Sequence, residues 1–209
     1  MTASAMGTII KDSSANPAPL GLMGFGMTTI MLSLHNAGLI PLGAAILAMG
    51  ILFGGLAQLI AGLMEWKKGN TFGMTVFASF GFFWLIIVMI ILAPKLGIAG
   101  TEAPEAMAAL FFLWGLYSAY LTVGTVGTNR VTQAVFVALT IVLLLLSASE
   151  ALASGDVKVA AGCVGVLAGA LAVYSAMAQV LNEALGREVV PVLKVARATK
   201  NTAEGSSAE

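Results

Sequence analysis

Residues 13–64 contain no Asp, Glu, Lys or Arg. A run of that length is too long for one buried core helix and suffices for two bilayer crossings of about 20 residues each. The NAGLIP segment at 36–41 supplies the break between them, because Asn, Gly and Pro together favour a turn. Charge-free runs recur at 69–94, 106–129, 131–149 and 159–182, each bounded by Pro, Gly or charge. The pattern predicts an all-α, polytopic membrane protein with six transmembrane helices in a compact bundle. Composition agrees: 59% of residues are hydrophobic and 10% charged, where a soluble domain carries about 25% charge. A transmembrane β-barrel is excluded because the runs are apolar at successive positions rather than alternating. No internal repeat is evident, and the spans form one domain over residues 16–195.

Residues 1–15 form an N-terminal cytoplasmic segment without the basic and apolar regions of a signal peptide, so the first span is expected to act as its own insertion signal. Residues 196–209, rich in Ala, Ser, Thr and charge, are expected to be a disordered tail. With both termini cytoplasmic, Lys11, Lys67, Lys68, Arg130, Arg187, Lys194, Arg197 and Lys200 fall inside and only Lys95 and Lys158 outside. That asymmetry sets the expected orientation, since basic residues accumulate in short cytoplasmic loops. The net charge of zero gives no reason to expect nucleic acid as a partner.

Glycines cluster inside the spans, with Gly50 and Gly54, and Gly165 and Gly169, at i,i+4 spacing. Small residues let helices approach closely in lipid, either within one bundle or between subunits, and a tightly packed bundle leaves only a narrow path through itself. The single Cys163 cannot pair within the chain and reads as a small buried hydrophobe. With one His, one Cys and no close carboxylate pair within a span, no metal site, cofactor site or catalytic constellation is apparent, which argues against an enzyme.

The polar residues within the spans are therefore few enough to consider one by one. Asn16, in NPAPLGL, is placed to cap the first helix, with Pro17 and Pro19 in its opening turn; the free amides there also suit an anion. Gln58, Thr28, Thr29, Gln133 and Gln179 are neutral donors that either link helices or line a path. A fixed Lys or Arg would hold an anion too tightly for release, and the spans contain none. His35 and Glu150 fall at the outer ends of spans one and five, suited to interfacial roles or to proton coupling; the apolar neighbours of Glu150 make it the stronger proton-coupling candidate. Glu65 and Glu183 are expected at solvated or paired positions near cytoplasmic helix ends.

Seven motifs in order carry a resemblance: NPAPLGL at 16–22 followed by MGFGMTTI and LHN, GGLAQLIAGLMEWKKGNTFG at 54–73, SFGFFW at 79–84, PKLG at 94–97 and VLNEALGR at 180–187. The chain resembles the acetate uptake transporters, in particular the bacterial succinate-acetate permeases. The resemblance implies a multi-pass protein of the cytoplasmic (inner) membrane, assembled as a homohexamer in membrane lipid. Each protomer would hold its own narrow path for acetate or another small carboxylate such as succinate, acting as a channel or by proton symport. It also implies an apolar constriction of Phe25, Phe80 and Leu139; the polar residues Asn16, at the inner mouth, and Thr28 and Gln58 are then expected to offer hydrogen bonds along the path. Relatives often carry Tyr where this chain has Phe80, so a phenolic hydroxyl is missing here. A channel for another small solute such as ammonium, and a membrane sensor or scaffold without flux, are the competing expectations.

Overall fold

The structure is a computed structural model in which residues 14–193 are described. Six helices are long and apolar enough to cross a membrane: α1 (Ala18–Asn36), α2 (Ala44–Lys67), α3 (Thr71–Leu92), α4 (Pro104–Gly124), α5 (Arg130–Ala151) and α6 (Gly155–Ala184). No strand occurs among the described residues. The tail expected at 196–209 and most of the N-terminal segment lie outside them.

Helix ends follow local chemistry. Asn70 and Asn129 cap α3 and α5, their side-chain oxygens accepting from the amides of Gly73 (3.1 Å) and Thr132 (2.8 Å). The connection from α2 to α3 is tight because Gly69 takes φ +69°, a left-handed conformation open to glycine at little steric cost. The first helix starts later than the NPAPLGL motif suggested. Pro17 precedes it, Pro19 lies in its first turn, and the Asn16 side chain accepts from the Ala18 amide two residues on (3.1 Å) rather than deeper in the helix. Within α2, residues Gly50–Ala57 wind as a π-helix, a form that tends to mark functional positions.

Odd-numbered helices run one way and even-numbered ones return, so both ends of the described chain lie on one side, here called the termini side. Lys68 Nζ donates to the Ser14 carbonyl (2.9 Å) and the Arg130 amide to that of Leu193 (3.1 Å), drawing the α2–α3 turn, the α4–α5 turn and both chain ends together. Asn182 fixes the segment after α6, accepting from the amides of Val189 (2.7 Å) and Val190 (2.9 Å).

The largest helix interface joins α1 to α6, and glycine makes it. A Cβ on Gly26 would lie 2.7 Å from the Gly169 carbonyl oxygen, and one on Gly169 would lie 2.6 Å from that of Gly26, so the two backbones touch. Gly165 packs on Ser33, and Gly54 on Thr28 and Trp84. These small residues therefore serve packing within the bundle. They also account for Cys163, which is exposed rather than buried as expected: Gly162 and Gly165 turn toward α1, leaving Cys163 facing outward. The rest of the exterior is apolar, with Leu113, Tyr120 and Trp66 all prominently exposed, as suits a lipid-facing surface.

Candidate functional site

Three parallel helices, α1, α3 and α5, each turn one stripe of side chains toward a common axis. The stripes follow the helical period: Phe25, Thr29 and Ser33 on α1; Phe80, Trp84 and Ile87 on α3; Leu139, Leu143 and Leu146 on α5. Two cavities lie along this axis. One, of about 240 Å³, reaches the helix ends on the termini side. The other, of about 200 Å³, reaches the opposite ends. Phe25 and Leu139 line both, and Phe80 lines the first.

Between the cavities the bundle narrows to a neck without an ionisable group. Phe80 is only 2% exposed, and its ring is gripped by four others: Phe25 and Phe83 at 6.2 Å edge to face, Trp114 at 5.5 Å and Tyr117 at 6.2 Å. Such pairs each contribute about 0.5–1.5 kcal/mol beyond area burial, which holds the ring in one orientation. Tyr117 brings a phenol close to Phe80, but its hydroxyl is bonded to Ser79 (2.9 Å).

The termini-side cavity carries polar groups. Gln58 is 1% exposed and donates to the Gly54 carbonyl inside the π-helical turn (2.7 Å). Glu65, seven residues further along the same face of α2 and near its end, is 3% exposed, so of the solvated and paired places expected for it the structure shows the paired one. It is accommodated because Asn70 donates to its carboxylate (2.7 Å) and Gly73 leaves room for it. Among the described residues it is the one ionisable group lining this cavity. Asn16 lies at the rim, exposed, its amide donating to Gln179 Oε1 (3.0 Å), and Gln179 itself lines the cavity. Gln133 stands apart, accepting from Arg130 in the first turn of α5 (2.7 Å).

The opposite cavity brings together His35, Glu150 and Lys158 near the helix ends. His35 Nδ1 bonds the Ile40 carbonyl (3.1 Å), which requires that nitrogen to carry the proton. Deeper in, Thr29 Oγ1 and Trp84 Nε1 are buried without a hydrogen-bond partner. Each such orphan costs about 1–3 kcal/mol. Thr28, the neighbour favoured by the sequence, lines neither cavity; it is wholly buried and donates to the Met49 carbonyl (3.3 Å) between α1 and α2. The sequence named Thr29 among the neutral donors without separating it from Thr28, gave Glu65 no place on the path, and passed over the Trp84 indole. Thr29 and Trp84 stand four residues after Phe25 and Phe80, so helical spacing from the constriction is the signal that points to them.

The neck between two cavities is suited to a small solute that tolerates brief loss of water. Known proteins share this chain's plan. The GPR1/FUN34/yaaH family profile matches residues 2–196. The succinate-acetate/proton symporter SatP of Escherichia coli K12 is 51% identical over 180 residues, covering 85% of this chain and 95% of that protein. A Methanothermobacter thermautotrophicus protein is 45% identical over 190 residues, 88% of this chain and 93% of its own. The Saccharomyces cerevisiae ammonia transport outward protein 2 shares 51% identity over a shorter stretch, 34% of this chain and 26% of the yeast protein. The solved structure of the bacterial acetate channel SatP superimposes with a TM-score of 0.85 at 49% identity, covering 86% of this chain and 99% of that one. The paired cavities, the six-helix plan and the family profile together make this chain a member of the GPR1/FUN34/yaaH family.

Proposed function

We propose that the protein carries acetate, and related small carboxylates such as succinate, across a cytoplasmic membrane through a path within each protomer. The observation that carries this reading is that two cavities reaching opposite ends of the bundle share Phe25 and Leu139. A carboxylate loses much solvation on entering an apolar neck, so the neck must be short and flanked by polar groups. Phe25, Phe80 and Leu139 act as the filter: they meet the methyl group of acetate and exclude bulky hydrated ions. Asn16 and Gln58 offer neutral donors on the termini side. Thr28 bonds the Met49 carbonyl just before the π-helical segment of α2 and packs on Gly54 within it, and acts on the path through those contacts.

The basic residues Lys67, Lys68, Arg130 and Arg187 on the termini side support placing both termini in the cytoplasm. His35 and Glu150 then face the outer cavity, where they serve proton coupling. The many exposed apolar side chains support embedding in the inner membrane, and the motif resemblance supports assembly as a homohexamer. A second reading, passage of ammonia, is favoured by the yeast relative's name and by a neck suited to a neutral solute. Uptake of labelled acetate and of methylammonium by purified protein in proteoliposomes separates the two readings from each other and from a scaffold with no flux. Acetate uptake that methylammonium does not compete with is the expected result.

A further inference from the structure

We propose that Thr29 and Trp84 form a carboxylate-binding subsite in the cavity opposite the termini, one helical turn beyond the neck. The proposal rests on the carboxylate reading above and assigns its seat. Thr29 Oγ1 and Trp84 Nε1 are the two side-chain polar atoms buried without a partner among the described residues. Thr29 is 6% exposed and Trp84 4% exposed, and both line the same cavity. An indole N–H can only donate, and a threonine hydroxyl can donate, so two donors await one acceptor.

Their placement along the path is coordinated. Each stands four residues after a neck residue, Phe25 or Phe80, on helices that run in the same direction. Both therefore lie about 6 Å beyond the neck by the rise of an α-helix. Two other threonines of the bundle satisfy themselves on their own helix, Thr122 donating to the Ser118 carbonyl (2.9 Å) and Thr140 to that of Phe136 (2.8 Å), and Thr28 donates to the Met49 carbonyl of α2 (3.3 Å). Thr29 makes no such bond to Phe25. Trp84 is held in place by α2, since a Cβ on Gly54 would lie 2.8 Å from its indole Cγ. The cavity wall beside them is apolar, with Leu32, Ile87, Val142 and Leu143. In such a setting two neutral donors bind a carboxylate well enough to dehydrate it and, lacking a fixed charge, release it. Acetate seated there presents its methyl group to Phe25.

The test is the concentration dependence of labelled acetate uptake by purified protein in proteoliposomes, for wild type, Thr29→Val, Thr29→Ser and Trp84→Phe. Thr29→Val and Trp84→Phe are each expected to raise half-saturation about tenfold or more, the usual effect of removing one hydrogen bond to a charged group. Thr29→Ser should retain the wild-type value. Melting in detergent without acetate separates binding from structure: Thr29→Val removes an unpaired hydroxyl and should melt no lower than wild type. Equal half-saturation in Thr29→Val and wild type overturns the subsite while leaving carboxylate transport intact, as does a lower acetate-free melting temperature with unchanged half-saturation. Absence of carboxylate flux from the wild type overturns the transport reading itself. If Trp84→Phe does not fold, the comparison of valine with serine at position 29 decides.

Discussion

Phe25 and Phe80 meet edge to face, their ring centroids 6.2 Å apart and their planes at 62°. The contact joins α1 to α3 where two cavities converge, so a change to either ring alters the aperture as well as the core. Phe80 is enclosed by four aromatic rings. Phe80→Tyr adds a hydroxyl that must either reach the path or remain buried without a partner. We expect an altered rate or selectivity for acetate, measured as uptake across a panel of carboxylates; unchanged kinetics for every acid would rule out a pathway role for this position.

Gly26 and Gly169 place the backbones of α1 and α6 in direct contact. In Gly169→Ala the new methyl group meets the Gly26 carbonyl oxygen at 2.6 Å and Ile30 at 2.7 Å, so the helices must separate. Overpacking of this kind costs about 1–3 kcal/mol. A lower melting temperature in detergent is expected, and a melting temperature equal to wild type would mean that the interface is looser than described.

Asn70 does two things at once: it caps α3 through Gly73 and donates to the buried Glu65 carboxylate. Asn70→Ala loses both, at about 1–3 kcal/mol for the stranded carboxylate and about 1 kcal/mol for the cap. Asn70→Asp keeps the cap but sets one carboxylate against another. Both variants should melt below wild type at neutral pH, and an aspartate variant as stable as wild type would show that the Glu65 contact contributes little.

Glu150 and His35 share the cavity opposite the termini. If Glu150 couples proton movement to flux, Glu150→Gln abolishes the stimulation of acetate uptake by a pH gradient while leaving exchange at equal pH near the wild-type rate. Retained stimulation in that variant would remove Glu150 from the mechanism.

The six spans were legible because charge is expensive in hydrocarbon, and the absence of Asp, Glu, Lys and Arg marks a crossing wherever it persists. The same criterion misplaced ends. Helix α6 begins at Gly155, four residues before the charge-free run at 159, because Ser154 caps it and Asp156 is favoured near a positive helix terminus. The π-helical turn of α2 left no mark in an apolar sequence, since its winding accompanies close packing of Gly54 on Trp84 and Gly55 on Leu85.

Candidate path residues were less readable, for a geometric reason. Successive residues on a helix point about 100° apart, so Thr28 and Thr29 are equivalent in sequence and opposite in consequence: one bonds the Met49 carbonyl and the other lines a cavity. Glu65 looked like an interfacial carboxylate because only the fold brings Asn70 and Gly73 around it. Phe25, Phe80 and Leu139 came from resemblance of motifs, as an aromatic or aliphatic residue in an apolar helix otherwise reads as core.

The central claim is that one neck, shared by two cavities, selects the solute. Counterflow of labelled acetate and larger carboxylates in proteoliposomes, compared between wild type and the Phe25→Ala/Leu139→Ala double variant, tests it most directly. The account predicts that wild type exchanges acetate and succinate and excludes acids bulkier than succinate, while the double variant admits them. Normal acetate exchange in the double variant with no gain of larger substrates would contradict it.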